Sequence, residues 1–230
     1  MGIAENYARI QERIAEACSK AGRSAESVQV MAVSKTHPAE AIAEAYAAGL
    51  RIFGENRVQE FQQKRAAIAD LKDARFHLIG NLQSNKSAKA AEIFDAVDTV
   101  DSLKIAQRLN DAAGALGKKL AVLIEIKLSS EPTKHGIVPE LVSPLLEEAV
   151  SGLPHLEFRG LMTVPPYFNE PERARPYFNR LRKLRDGLAE EFPEFALREL
   201  SMGMSHDFEV AIAEGSTCVR IGKALFGKRG

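Results

Sequence analysis

Tryptophan is absent from the 230 residues, cysteine occurs only twice, and neither sign of charge is in excess, with 31 Lys plus Arg against 31 Asp plus Glu. Each shortage removes a class of function. Cys18 and Cys218 stand alone and far apart, so the chain has neither a disulfide framework nor the paired spacing of a metal site. Thiols without such a framework point to a reducing compartment, the cytoplasm. Zero formal charge supplies no basic excess for nucleic acid or for an anionic membrane surface. No apolar run has the roughly 20 residues of a membrane-spanning helix. Residues 1–6 open an amphipathic helix instead of a signal peptide, and residue 6 is Asn where a myristoylation signal carries Ser or Thr. Gly-x-Gly-x-x-Gly does not follow the first strand, which leaves no dinucleotide fingerprint. With no linker, low-complexity stretch or composition break, residues 1–230 read as one domain.

What is present is a rhythm. Ile3, Tyr7, Ile10, Ile14 and Ala17 share one helical face, and Gly22 stops that helix. Eight short apolar strands then alternate with helices. The strands are expected over 28–34, 50–53, 76–79, 96–100, 120–126, 156–164, 197–202 and 217–221. Intervening helices are expected near 38–48, 58–69, 85–94, 102–117, 140–151, 172–190 and 205–214, with a short one near 224. Apolar strands buried on both faces call for a parallel sheet covered by helices. Eight such units fit a closed (β/α)8 TIM-like barrel preceded by an extra N-terminal helix, with a doubly wound open sheet as the alternative.

In a barrel the strand-end loops share one face, where the site forms. Lys35 ends the first strand, Val30-Met31-Ala32-Val33-Ser34. A lysine there either snorkels to solvent or, desolvated at a site mouth, becomes a nucleophile toward a carbonyl. Asn56 follows the second strand and Gly80-Asn81 the third. Ser201, Gly203 and Ser205 follow the seventh, with Arg220 and Gly222 at the eighth. Loops after strands seven and eight are where barrels hold phosphate. Gly203 and Gly222 would let backbone N–H groups approach an anion, and Ser205 would cap the next helix and offer its hydroxyl. Read structurally, the same residues are only caps and turns. Arg220 sits inside an apolar strand and needs a partner, either a carboxylate such as Glu199 or Glu125, or a ligand at the mouth. A Schiff-base lysine, a phosphate cradle and an arginine facing a ring nitrogen together describe a pyridoxal phosphate site.

Longer motifs carry a resemblance along nearly the whole chain. They are Val33-Ser34-Lys35-Thr36; Phe53-Gly54-Glu55-Asn56 with Val58-Gln59-Glu60; His77-Leu78-Ile79-Gly80 with Leu82-Gln83-Ser84-Asn85-Lys86; Gly160-Leu161-Met162-Thr163; Leu200-Ser201-Met202-Gly203-Met204-Ser205 with Asp207; and Val219-Arg220-Ile221-Gly222 with Phe226-Gly227. In these the sequence resembles the pyridoxal phosphate homeostasis proteins, whose fold is similar to the N-terminal barrel of alanine racemase. Lys134 and Gly136 sit where that family has a Lys-x-Gly pattern. Arg57 stands where many members carry an aromatic residue, and no role is carried onto it.

The resemblance implies an internal aldimine between Lys35 and pyridoxal 5′-phosphate (PLP). It implies that Ser201, Gly203, Ser205 and Gly222 surround the phosphate, that Arg220 approaches the pyridine nitrogen, and that Asn56 lines the ring. An arginine there would leave the ring unprotonated and a poorer electron sink. Racemases of the related fold take a second acid/base, a tyrosine, from an additional domain. Of the four tyrosines only Tyr167, in a Pro-Pro loop, could reach the mouth, and a solvated loop position suits it better. His37 is the other candidate base, against a bland reading as an exposed helix-start residue. The leading expectation is therefore a carrier without established catalytic activity. It would hold PLP, limit free aldehyde and pass the cofactor to apo-enzymes as a cytoplasmic monomer. The alternatives are a weak PLP-dependent amino-acid racemase or other small PLP enzyme, and a cofactor-free aldolase-type barrel using Lys35 on a sugar phosphate. His77 is expected as a hydrogen-bonded core histidine, Glu55 as an ion-pair partner, and the basic run 180–185 as a solvated helix face.

Overall fold

A computed structural model describes residues 2–131 and 134–227. Its eight strands close into one parallel barrel in chain order. They are β1 Gln29–Val33, β2 Ile52–Glu55, β3 Arg75–Leu78, β4 Ala96–Val100, β5 Leu120–Glu125, β6 Leu156–Met162, β7 Glu199–Met204 and β8 Cys218–Ile221. The helices are α1 Ile3–Lys20, α2 Ala39–Ala47, α3 Val58–Lys64, α4 Ser87–Ile93, α5 Leu103–Ala115, α6 Val142–Gly152, α7 Arg175–Glu191, α8 Phe208–Ala213 and α9 Lys223–Phe226. Closure follows from pairing β8 on β1, with Met31 opposite Arg220 and Ala32 opposite Ile221. Every strand then has two neighbours, and no edge is left to pair with another chain.

Alternation along the strands divides the burial. Ala32, Phe53, Leu78, Val97, Val122, Ile124, Leu161, Leu200, Met202 and Val219 join the main apolar cluster with the helices. Met31, Ala96, Ala121, Leu123, Met162 and Cys218 are equally buried but stand outside that cluster, so they fill the barrel interior. The interior also holds His77, Asp98, Ser201 and Arg220, at the same alternate positions. α1 turns Ile3, Ile10, Ile14 and Ala17 inward and packs on α8 and α9, tied by Asn6 Nδ2 to the Leu225 carbonyl at 2.8 Å. Among the described residues no helix is long and apolar enough to cross a membrane.

Three boundaries differ from the sequence-based expectation, each for a tertiary reason. β2 continues through Gly54 and Glu55, beyond the expected end at Phe53. The ladder carries on there, from Ser34 N–H to the Gly54 carbonyl and from Ile79 N–H to the Glu55 carbonyl. Gly54 serves space, since a Cβ on it would lie 2.8 Å from Met31 Sδ and Ile79 Cδ1. β7 runs to Met204 because its register against β8 shifts between Ser201 and Met204, a bulge containing Gly203 at φ +93°. Ser201 and Gly203 are therefore strand residues. α8 begins at Phe208 instead of 205, because Asp207 turns back to accept a hydrogen bond from Met204 N–H at 2.7 Å.

An alanine at Gly203 would need a left-handed backbone and would set its Cβ 2.6 Å from Ala211 Cβ and 3.0 Å from Phe208 Cα. Gly203→Ala is expected to cost about 1–3 kcal/mol, read as a lower urea midpoint; a wild-type midpoint would contradict the bulge geometry.

Candidate cofactor site

The sequence-selected residues gather at one end of the barrel, where all eight strands terminate. Lys35 is the second residue of a tight turn whose closing bond runs from His37 N–H to the Ser34 carbonyl at 3.0 Å. Thr36, third in that turn, has φ +66° and is the one non-glycine residue with positive φ among those described. A β-branched residue there is strained. Polar contacts hold the turn from below. Thr36 N–H reaches Glu60 Oε1 at 2.6 Å, Ser34 Oγ reaches Glu55 Oε1 at 2.8 Å, and Lys64 Nζ reaches the Ser34 carbonyl at 3.2 Å. Lys64 also pairs with Glu55 at 3.1 Å and Glu60 at 2.7 Å. Glu55 is fully buried, and burial pushes its carboxyl up against the pull of Ser34 and Lys64. Its expected part as an ion-pair partner holds. The other flank of the turn rests on the β8 end, where His37 stacks on Phe226 with ring centroids 4.6 Å apart.

Arg220 is buried at the β8 end. Its Nη1 donates to the Ser201 carbonyl at 2.6 Å and Ser201 Oγ at 2.8 Å, and its Nη2 to the Thr163 carbonyl at 2.7 Å. These bonds go to main chain and a hydroxyl, not to Glu199 or Glu125. The fork locks the ends of β6, β7 and β8 together and fixes the plane of the guanidinium. Ser201 thus lies under Arg220, with its hydroxyl accepting from the guanidinium.

Ser205 serves a different helix from the one its sequence position suggests. Its Oγ accepts from Ala224 N–H at 3.3 Å and so ties the β7 loop to the first turn of α9. Gly222 opens that turn, and a Cβ on it would lie 3.5 Å from Val33 Cβ. The β7 loop, the β8 loop and the Lys35 turn are thus adjoining pieces of one mouth.

Asn56 follows β2 on the same rim, and its Oδ1 is buried without a hydrogen-bond partner among the described residues. It borders a polar recess of about 420 Å³ with Arg57, Gly80, Asn81, Lys86 and His135. A slightly larger recess, of about 450 Å³, lies at the other end of the barrel near Tyr7 and Gln29 and gathers none of these groups. Glu125, last residue of β5, has a buried Oε2 with no hydrogen-bond partner among the described residues. Burial pushes its carboxyl up to about 7; Arg220 and Lys134 pull the other way and Asp101 adds to the rise. Sequence reasoning named Glu125 only as a partner for Arg220. The signal was available, because an acid ending the apolar run Leu120–Glu125 is as unusual as an arginine in β8. The clamp formed by Lys64 and Glu60 had no such signal, since α3 reads as an ordinary amphipathic helix.

Other candidates lie elsewhere. His77 sits in β3 with Nδ1 3.0 Å from Asp98 Oδ1; burial disfavours its charge, but Asp98 outweighs that and raises its pKa. Tyr167 is 73% exposed, with its ring 5.4 Å from His206. The basic run of α7 is spent locally, Arg182 on Glu214 and Arg185 on Asp186. No cluster of His, Cys, Asp and Glu able to hold a metal occurs among the described residues.

Comparison with known proteins gives the family and the fold. Residues 5–230 match the family model described as "Alanine racemase, N-terminal domain". Two curated relatives, both named pyridoxal phosphate homeostasis protein, come from Aquifex aeolicus and Pseudomonas aeruginosa. The first is 45% identical, covering 100% of this chain and 99% of that one. The second is 49% identical, covering 99% and 96%. PipY of Synechococcus elongatus, solved with PLP bound, superposes with a TM-score of 0.87 at 42% identity over 98% of this chain and 100% of that chain. Alanine racemase of Clostridium difficile shares the fold alone, with a TM-score of 0.65 at 17% identity over 95% of this chain and 56% of that one. The closed barrel and the family model define a barrel of the alanine racemase N-terminal-domain class. Within that class, the chain belongs to the pyridoxal phosphate homeostasis protein family.

The mouth suits that cofactor on its own terms. It presents an amine, an immobilised guanidinium, glycine backbones at the β7 bulge and the β8 loop, and two buried polar atoms, Asn56 Oδ1 and Glu125 Oε2, without a hydrogen-bond partner among the described residues.

Proposed function

We propose that this chain is a carrier that holds PLP covalently, as a Schiff base on Lys35, and releases it to apo-enzymes. In this reading Ser201, Gly203, Ser205 and Gly222 surround the phosphate, Arg220 faces the pyridine nitrogen and Asn56 lines the ring. The observation that carries it is the adjacency of the Lys35 turn to the β7 and β8 loops, through Gly222 beside Val33 and His37 on Phe226. An amine and a phosphate cradle that close together fit one small phosphorylated aldehyde. PLP supplies an aldehyde carbon that condenses with an amine and a ring that withdraws electrons from it. Arg220 already spends three hydrogen bonds on the protein and cannot act as an acid toward the ring, because a guanidinium does not give up its proton. It orients without activating, which favours holding over turnover. The carrier would work as a single-domain cytoplasmic monomer, meeting its recipients transiently and using neither nucleic acid nor membrane.

The test is the visible spectrum of purified protein with added PLP, followed by borohydride reduction and peptide mapping. Wild type is expected to show a yellow band and a reduced adduct on Lys35, and Lys35→Ala neither. A band of full strength in Lys35→Ala would refute the assignment.

One observation favours a second reading, a weak amino-acid racemase. In an eight-stranded closed barrel β1 and β5 are diametrically opposite. Lys35 and Glu125, whose Oε2 finds no hydrogen-bond partner among the described residues, therefore stand at the ends of opposite strands. Racemisation of several L-amino acids well above the rate of free PLP, and abolished by Lys35→Ala, would replace the carrier reading with this one.

A further inference from the structure

The Lys35 turn is the most constrained feature of the mouth, and its constraints come from residues that the site as described does not use. The central strain is at Thr36, whose φ of +66° costs a non-glycine residue about 1–3 kcal/mol unless its surroundings over-determine it. Here they do. The Thr36 N–H is taken by Glu60 Oε1 at 2.6 Å. The Ser34 hydroxyl is taken by Glu55 at 2.8 Å and the Ser34 carbonyl by Lys64 at 3.2 Å.

Lys64 is the common member. Its ammonium has three protons and meets three acceptor groups: the Ser34 carbonyl, the Glu55 carboxylate at 3.1 and 3.2 Å, and Glu60 Oε1 at 2.7 Å. Its side chain is 12% exposed and that of Glu55 0%, so these contacts are shielded from water. Pairing with the buried Glu55 carboxylate accounts for part of this arrangement; an exposed pair with Glu60 alone would contribute little. The arrangement also reaches into the two residues that flank Lys35.

We propose that Lys64, with Glu60 and Glu55, is a positioning clamp that holds the strained turn from Ser34 to His37 and thereby sets how readily Lys35 condenses with an aldehyde. This rests on the reading of Lys35 as the Schiff-base residue. In the condensation the neutral Lys35 amine attacks the aldehyde carbon. A C=N bond forms, and the carbonyl oxygen leaves as water with two protons that came from nitrogen. An ammonium must first give its third proton to solvent. The clamp acts through Ser34 and the Thr36 N–H, the residues on either side of Lys35. It removes alternative directions for the amine, and misplacement by about 1 Å can cost such a reaction on the order of a hundredfold.

Three readouts on Lys64→Met and, separately, Glu60→Ala test it. The first is the rate at which the Schiff-base band rises after mixing with PLP. The second is the affinity for 4′-deoxypyridoxine 5′-phosphate, which has phosphate and ring but no aldehyde. The third is amide hydrogen exchange of Thr36 and His37 in the apo protein. The expected result is a rate lower by about 10–100-fold, an analogue affinity within twofold of wild type, and faster exchange at both amides. Adding Thr36→Gly to Lys64→Met is expected to restore most of the rate, because glycine takes φ +66° without strain. An unchanged rate, or equal loss of rate and analogue affinity without rescue by glycine, overturns the clamp. If wild-type protein itself gives no borohydride-trapped adduct, the Lys35 reading fails, and the exchange data still decide whether Lys64 holds the turn.

Discussion

Arg220→Met lowers the unfolding free energy of the apo protein by about 3–5 kcal/mol, a large fraction of the stability of an ordinary domain. One guanidinium supplies a second hydrogen bond to the Ser201 carbonyl, the bond to Ser201 Oγ, and the bond to the Thr163 carbonyl. The ladder partner of the Ser201 carbonyl is Thr163 N–H at 3.3 Å, so the loss falls where β6 and β7 are already stretched. Methionine fills similar volume, so the cost is chiefly that of unmade bonds at buried acceptors and not of a cavity. The variant also removes the cation that holds down the Glu125 carboxyl. Arg220→Lys is expected to recover little, because an ammonium is a point charge and cannot span carbonyls on two strands. Urea titration of both variants checks this. Wild-type midpoints would mean that the fork is dispensable and that Arg220 is kept for the ligand alone.

Glu125→Gln alters the pH dependence of stability more than any other single carboxyl is expected to. Burial lifts the folded carboxyl from 4.5 to about 7. The folded state therefore takes up a proton more readily than the unfolded chain does. Its stabilising contribution is complete below about pH 4.5 and is lost as pH rises through 7. At pH 8 the ionised, buried carboxylate costs up to about 3 kcal/mol relative to the protonated form. Glutamine has no proton to lose. The variant should match wild type near pH 5 and exceed it by up to about 3 kcal/mol at pH 8. His77, Glu55, Glu199 and Asp207 also have raised pKa values, but they occur in both proteins and cancel in the difference. Unfolding free energies measured between pH 5 and 8.5 give the answer, and a difference independent of pH would show that Glu125 stays ionised throughout. A carboxyl that stores a proton at neutral pH, across the barrel from Lys35, is also the group that would give a two-base enzyme its second base.

Much of the mouth was legible because strand-end residues announce themselves. Lys35 after an uncharged strand, and Arg220 within one, violate burial rules in a way that few structures other than a site can satisfy. Glu125 broke the same rule. The resemblance weighted the motifs it matched, and Glu125 lies outside them. Ser205 was expected to cap α8 because that helix comes next, but a hydroxyl bonds to what is near in space, and the nearest unpaired N–H belonged to Ala224 on α9. Gly54 fell outside the expected strand because its use as a spacer depends on Met31 and Ile79, which sequence does not place beside it.

The alternation of eight apolar strands with helices, and hence a covered parallel sheet, is legible in the residues alone, as is the position of Lys35, Asn56 and Gly222 at strand ends. Both are local properties: periodicity, caps, and single polar residues in apolar runs. Which polar groups meet depends on closure of the barrel. Lys64 reaches Ser34 and Glu55, Arg220 reaches Thr163 and Ser201, and Glu125 Oε2 finds no hydrogen-bond partner among the described residues, once β8 closes onto β1. Hydrogen bonds act over about 3 Å in space, whatever the separation along the chain. The register that brings those groups together is set by the packing of the whole barrel and is not written in any one segment.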